Sequence, residues 1–169
     1  MAARRREHRI ALEILYAVDI GKRPVEDAIA QARQGVGVFA RGDKTIAEEP
    51  FEPVYPAVDQ RADAPATTDW ALVEALVRGS LSCQSELEAD VTPLLQRWTL
   101  ARLAGVDRLI ILMACWELRH RPDASTTEVI NHAVELARRL STEQSAGFVN
   151  AVLDAFAKTP VRDAGSPSR

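Results

Sequence analysis

The stretch Val106–Arg119, VDRLIILMACWELR, decides the fold. Its centre, Leu109 to Trp116, is eight consecutive apolar residues fenced by Arg108 and Glu117. A bilayer span needs roughly 20 such residues, so this run is a buried core segment and no membrane association is expected. Gly105 precedes it and Pro122 follows, bounding one helix that is apolar nearly all round in its middle and therefore central to a core. Hydrophobic residues make up 47% of the 169-residue chain and charged residues 27%, enough for one globular domain. Aromatics are only 5% and no alternating strand pattern is present, so the expected class is all-α with about seven helices.

Upstream, Ile10, Ala11, Ile14, Leu15 and Val18 recur at helical spacing and predict an amphipathic helix over 5–20, with Gly21 as its C-terminal cap. A shorter helix follows Pro24. Asp69 is placed to cap one long helix whose stripe runs Trp70, Val73, Leu76, Val77, Leu81, Leu87 and Val91, and Pro93 opens a short helix through Trp98. Downstream, Ser125-Thr-Thr-Glu128 and Ser141-Thr-Glu-Gln144 read as capping boxes for two final helices. Residues 35–66 contain three glycines and four prolines without helical periodicity, which predicts a flexible insertion in a single domain spanning 1–158. Residues 159–169 read as a disordered tail.

The formal net charge of −3 argues against nucleic acid, but its distribution does not. Arg4, Arg5, Arg6 and Arg9 face only Glu7 within residues 1–9, residues 97–139 carry seven arginines against five acids, and the insertion is acidic. No export segment follows the basic start. Cys83 and Cys115 lie far apart, without a Cys-x-x-Cys, so neither a zinc site nor a disulfide framework is expected and a reduced cytoplasmic setting is the default.

Catalytic motifs are missing: no Gly-x-Ser-x-Gly, no phosphate-binding glycine loop and no His-Glu-x-x-His. His120 reads as a group in the last turn of a helix, His132 as solvated, and Glu117 as outward-facing or paired with an arginine, with a buried carboxylate as the alternative. No catalytic residue, metal or cofactor is expected. Binding chemistry is better represented. Arg5, Arg9, Leu12 and Tyr16 fall at steps of four, three and four, which predicts one helix face carrying two guanidiniums and a ring. Arginine neutralises phosphate and tyrosine can stack an unpaired base, a combination suited to single-stranded RNA.

Three stretches in order then narrow the reading. They are Arg4-Arg-Arg-x-x-Arg9 continuing to Leu15-Tyr16; Val106-Asp107-Arg108 running into Ala114-x-Trp116-Glu117-Leu118 and Arg121-Pro122-Asp123; and Val129-Ile130-Asn131-x-Ala133-Val134-Glu135-Leu136-Ala137 followed by Ser145-x-x-Phe148-Val149-Asn150-x-Val152-Leu153. Together they resemble the NusB family of bacterial transcription antitermination factors. The resemblance implies a NusB-like helical bundle of two packed subbundles. It implies binding of the boxA element of ribosomal RNA leader transcripts together with ribosomal protein NusE, and modification of the elongating RNA polymerase alongside other Nus factors, with no catalytic step. By position it assigns Arg4, Arg5, Arg6, Arg9 and Tyr16 to RNA binding, and Asp107 and Arg108 to a partner or RNA surface. The chain departs from the family pattern at Gln144, where an acid is usual, at Gly147, often lysine, at Ala151, often glycine, and at Trp116, often tyrosine. Asn131 and Asn150 read as satisfying buried backbone at helix junctions. Two rivals remain: a protein–protein adaptor that has lost RNA binding, and the helical domain related to RNA cytosine methyltransferases.

Overall fold

The structure, a computed structural model, describes residues 2–35 and 68–160, with side chains from Arg5 onward in the first segment. The expected insertion and tail therefore lie almost wholly outside the described residues. Among those described, seven α-helices and no strand occur: α1 (Ala2–Asp19), α2 (Val25–Arg33), α3 (Trp70–Ser82), α4 (Gln84–Val91), α5 (Gly105–His120), α6 (Thr126–Leu140) and α7 (Ser145–Ala157). Two single 3-10 turns, Thr92–Leu94 and Leu100–Arg102, link α4 to α5.

The helices fall into two groups. In the first, α1 packs on α2 and α3; in the second, α5 packs on α6 and α7 with α4 alongside, and α5 also reaches α1 and α3. The all-apolar run explains that position. Leu109, Ile110, Ile111, Leu112, Met113, Ala114 and Cys115 are all buried, so α5 needs partners on every side. Each large side chain sealed this way contributes about 1.5–3 kcal/mol. Close approach of α3 to α5 depends on Gly79, where a Cβ would sit 2.0 Å from the Trp116 ring. Burial also pushes the Cys115 thiol far up, so it stays an inert apolar group.

Several boundaries differ from the sequence pattern, each for a local reason. Asp69 does cap α3, accepting a hydrogen bond from the Leu72 amide at 3.1 Å. The long helix expected beyond it breaks at Cys83, where the Ser80 hydroxyl donates to the Leu76 carbonyl and the Ser82 hydroxyl to the Gly79 carbonyl. Such hydroxyls bend helices by competing for backbone acceptors. The helix expected from Pro93 to Trp98 is a 3-10 turn only. Gly21 is not the left-handed residue after α1; Lys22 is, at φ 53°. Glycine is needed at 21 for clearance instead, because a Cβ there would lie 2.6 Å from the Ala17 carbonyl oxygen.

Neither capping box forms. Ser125 makes no side-chain cap bond, and its exposed position leaves water to satisfy the first amides of α6. In the second segment α7 starts at Ser145, and the hydroxyls of Ser141 and Thr142 lie 2.9 and 2.8 Å from the Ser145 hydroxyl. Those groups are recruited to a buried carboxylate described below.

Candidate nucleic-acid interface

The first two turns of α1 divide sharply between surface and interior. Arg5 and Arg6 are exposed, and the Arg5 guanidinium lies 3.2 Å from Glu135 on α6. Glu7 and His8, next in sequence, are almost completely buried. Glu7 accepts the Asp69 amide at 3.1 Å, joining α1 to the start of α3. His8 Nε2 donates to a Glu117 carboxylate oxygen at 2.6 Å, joining α1 to α5. Arg121 Nη1 stands 3.6 Å from the other Glu117 oxygen. The His132 ring of α6 lies 4.8 Å from that of His8. Desolvation by burial holds the His132 imidazole below its ordinary range, and the neighbouring His8 pushes the same way.

This buried joint decides two readings of the sequence. Of the alternatives for Glu117, the outward-facing one fails, while burial and pairing with an arginine hold: α5 is enclosed, and the carboxylate meets both His8 and Arg121. His132 is not merely solvated but half-buried against His8. His8 itself carried no sequence signal beyond its place between arginines. Its burial could have been suspected only by pairing it with the acid that ends the apolar run. His120 matches its reading: it is exposed, Nδ1 donates to the Trp116 carbonyl at 3.0 Å, and the ring stacks on Trp116.

The predicted binding face is only partly assembled. Arg9 is half-buried and lies 3.7 Å from Glu13, whose carboxyl is raised by burial and lowered in smaller part by Arg9. Leu12 is 1% exposed and Tyr16 9%, both within the core cluster. Burial also pushes the Tyr16 phenol above its ordinary range. The stripe that starts in solvent at Arg5 thus sinks into the core one turn before Tyr16. At 9% exposure little of the Tyr16 ring is open for a base to stack on. The Arg4 side chain lies outside the described residues.

Asp107 and Arg108 also differ from their assignment to a partner surface. Asp107 is 6% exposed and accepts the Ser145 hydroxyl at 2.8 Å, which ties the first turn of α5 to that of α7. Arg108 bonds Asp19 at the end of α1 and, at 3.2 Å, Glu88 on α4. Both are internal clamps between helices. Asn131 and Asn150, expected to satisfy buried backbone, are instead exposed and make no hydrogen bond among the described residues. Among the described residues no cluster of metal-ligating side chains and no helix long and apolar enough to cross a membrane occurs.

A helical bundle with a basic helix start, arranged around a buried run of this kind, is matched by known proteins. The NusB family model matches residues 5–158. The chain belongs to the NusB family. The transcription antitermination protein NusB of Solibacter usitatus is 32% identical over 169 residues, covering 100% of this chain and 98% of its own length. That of Geobacter sp. (strain M21) is 30% identical over 159 residues, covering 94% and 97%. The solved structure of T. maritima NusB shares the fold at a TM-score of 0.64 and 24% identity, covering 92% of this chain and 90% of the other. The NusB membership makes this protein a transcription antitermination factor.

Proposed function

We propose that this NusB-family protein binds single-stranded boxA RNA of ribosomal RNA leader transcripts together with ribosomal protein NusE, and that the complex modifies the elongating RNA polymerase in the cytoplasm without any catalytic step. The observation that carries the reading is the start of α1. Arg5 and Arg6 are held in solvent, while the adjacent Glu7 and His8 fasten the same helix turn into the bundle. Cations on an anchored helix lose less freedom on meeting phosphate than cations on a loose tail, so more of the contact energy becomes affinity. Tyr16 drops out of the site. Arg9, Asp107 and Arg108 act by positioning: Arg9 pairs with Glu13, and the other two lock the ends of α5 to α7, α1 and α4.

Titration of fluorescently labelled boxA RNA against the protein, with and without NusE, tests this. Saturable binding that tightens when NusE is added supports it, and affinity should fall with added salt because phosphate contacts release counterions. Absence of RNA binding in both arms contradicts it. Removing arginines must be done by substitution rather than by deleting residues 1–9, since that deletion also takes the buried Glu7 and His8.

A further inference from the structure

The aromatic platform that Tyr16 does not provide is present elsewhere. Trp98 is 55% exposed, and among the described residues the only other exposed large hydrophobic side chain is Ile20. Solvent exposure of an indole that could be buried is costly, since burying a large apolar side chain contributes about 1.5–3 kcal/mol. The local backbone maintains the display. Gln96 is held at φ 52°, in the left-handed region that non-glycine residues rarely adopt, and the Trp98 amide closes the turn onto the Leu95 carbonyl at 3.0 Å. Leu95, 1% exposed, roots that turn in the core. Phe148 of α7 braces the ring, with centroids 6.4 Å apart in a T-shaped arrangement, and more than half of the Trp98 surface stays open to solvent.

Charge at this corner is equally uncommitted. Arg97 and Arg102, on either side of Trp98 in sequence, are exposed and form no ion pair or hydrogen bond among the described residues. Most other described arginines are engaged: Arg33, Arg78, Arg108, Arg119, Arg121 and Arg139 each meet a carboxylate. A chain of contacts also connects the corner to the start of α1. Arg5 meets Glu135, Glu135 meets Arg139 in the last turn of α6, and the next turn leads into α7, where Phe148 meets Trp98.

We propose that Trp98, with Arg97 and Arg102, forms a second contact site for single-stranded RNA, in which the indole stacks one unpaired base and the two guanidiniums neutralise neighbouring phosphates. The site rests on the RNA-binding reading above and extends it from the start of α1 to the turn that precedes α5. Single-stranded RNA is favoured over a protein partner because two exposed, unpartnered cations lie close to the ring in sequence. Protein docking surfaces centre on aromatics and arginines as well, so the experiment must separate the two.

The full-length protein is titrated with a labelled boxA RNA oligonucleotide, and separately with NusE, as wild type, W98A and R97Q/R102Q. Trp98→Ala is expected to weaken RNA binding about tenfold, as loss of one base–aromatic stack does. The double arginine variant should make the log–log salt dependence shallower by about 1.4, the share of two phosphate contacts on a single strand. Indole emission should be quenched on RNA binding in the wild type and not in W98A. Both arginines are exposed, so their replacement leaves the helical signal and melting temperature unchanged and remains informative if W98A folds poorly. If the wild type binds RNA while both variants bind it equally well, this site is overturned and the start of α1 stands alone. If the variants lose only NusE, the corner is a protein-docking surface and the proposal fails. If the wild type binds no RNA, the reading beneath it fails first.

Discussion

The start of α1 and the Trp98 corner present the same two ingredients, arginine and aromatic ring, in opposite arrangements. On α1 the cations stand at the surface while Tyr16, three turns on, is in the core. At the corner the ring itself is outside and both flanking cations lack partners among the described residues. The difference lies in what surrounds each segment. On a regular helix each residue advances by about 100°, so a row at steps of four, three and four stays within about 30° of one line, and it is buried where neighbouring helices pack over its later turns. A short irregular turn has no such obligation and can hold an indole in water. Helical spacing therefore tells which residues share a face, and packing decides whether that face is free.

The contrast can be broken hardest at the buried joint that anchors α1. His8→Ala leaves the Glu117 carboxylate buried with only Arg121, at 3.6 Å, in place of a 2.6 Å hydrogen bond. Unfolding in urea should show a loss of about 3 kcal/mol. A value near zero means that the carboxylate is not sealed by His8. Gly79→Ala comes next. It drives a methyl group into the Trp116 ring, and the expected cost is about 2 kcal/mol despite alanine's better helix propensity. Thermal melting checks it, and an unchanged or raised midpoint would show that the ring can move aside.

Tyr16→Phe tests the phenol hydroxyl alone, since a phenylalanine ring would stack a base as well as tyrosine does. With the ring packed in the core, phenylalanine keeps the packing, so RNA affinity should stay within about twofold while stability changes by less than about 1 kcal/mol. A tenfold loss of RNA binding would restore Tyr16 to the site. The smallest effect is expected at His132. Its folded-state imidazole is held below the ordinary value, so the unfolded chain takes up a proton first as pH falls. This contribution is absent above the unfolded pKa of about 6.5 and destabilises the fold progressively as pH drops from there to the depressed folded value. His132→Gln should flatten that part of the stability profile, measured by denaturation between pH 7 and 5. Partial exposure keeps the effect small.

Much of the bundle was legible because burial is written in periodicity. The all-apolar run from Leu109 to Trp116 placed α5 at the centre, and Asp69 marked the start of α3 correctly. Where the structure departs from the pattern, polar side chains decide, some through near neighbours and some through distant ones. Ser80 and Ser82 broke a continuous apolar stripe by bonding to carbonyls, and the second capping box was diverted because its hydroxyls gather at Ser145, which donates to Asp107. The site was less legible than the fold. A cluster of arginines announces positive charge but not its partners, and Glu135 and Glu13 take up part of it. The sequence pattern places Trp98 at the end of a short helix, a position that gives no reason to regard it as a displayed ring. The left-handed Gln96 that turns it outward leaves no mark in composition or spacing.

The most direct test of the anchored basic helix is the salt dependence of boxA RNA affinity, in the presence of NusE, for the wild type and for R5Q/R6Q. Both residues are exposed, so the fold should be kept. The account predicts weaker binding and a log–log slope shallower by about 1.4, the loss of two phosphate contacts. An affinity and slope identical to those of the wild type would contradict it.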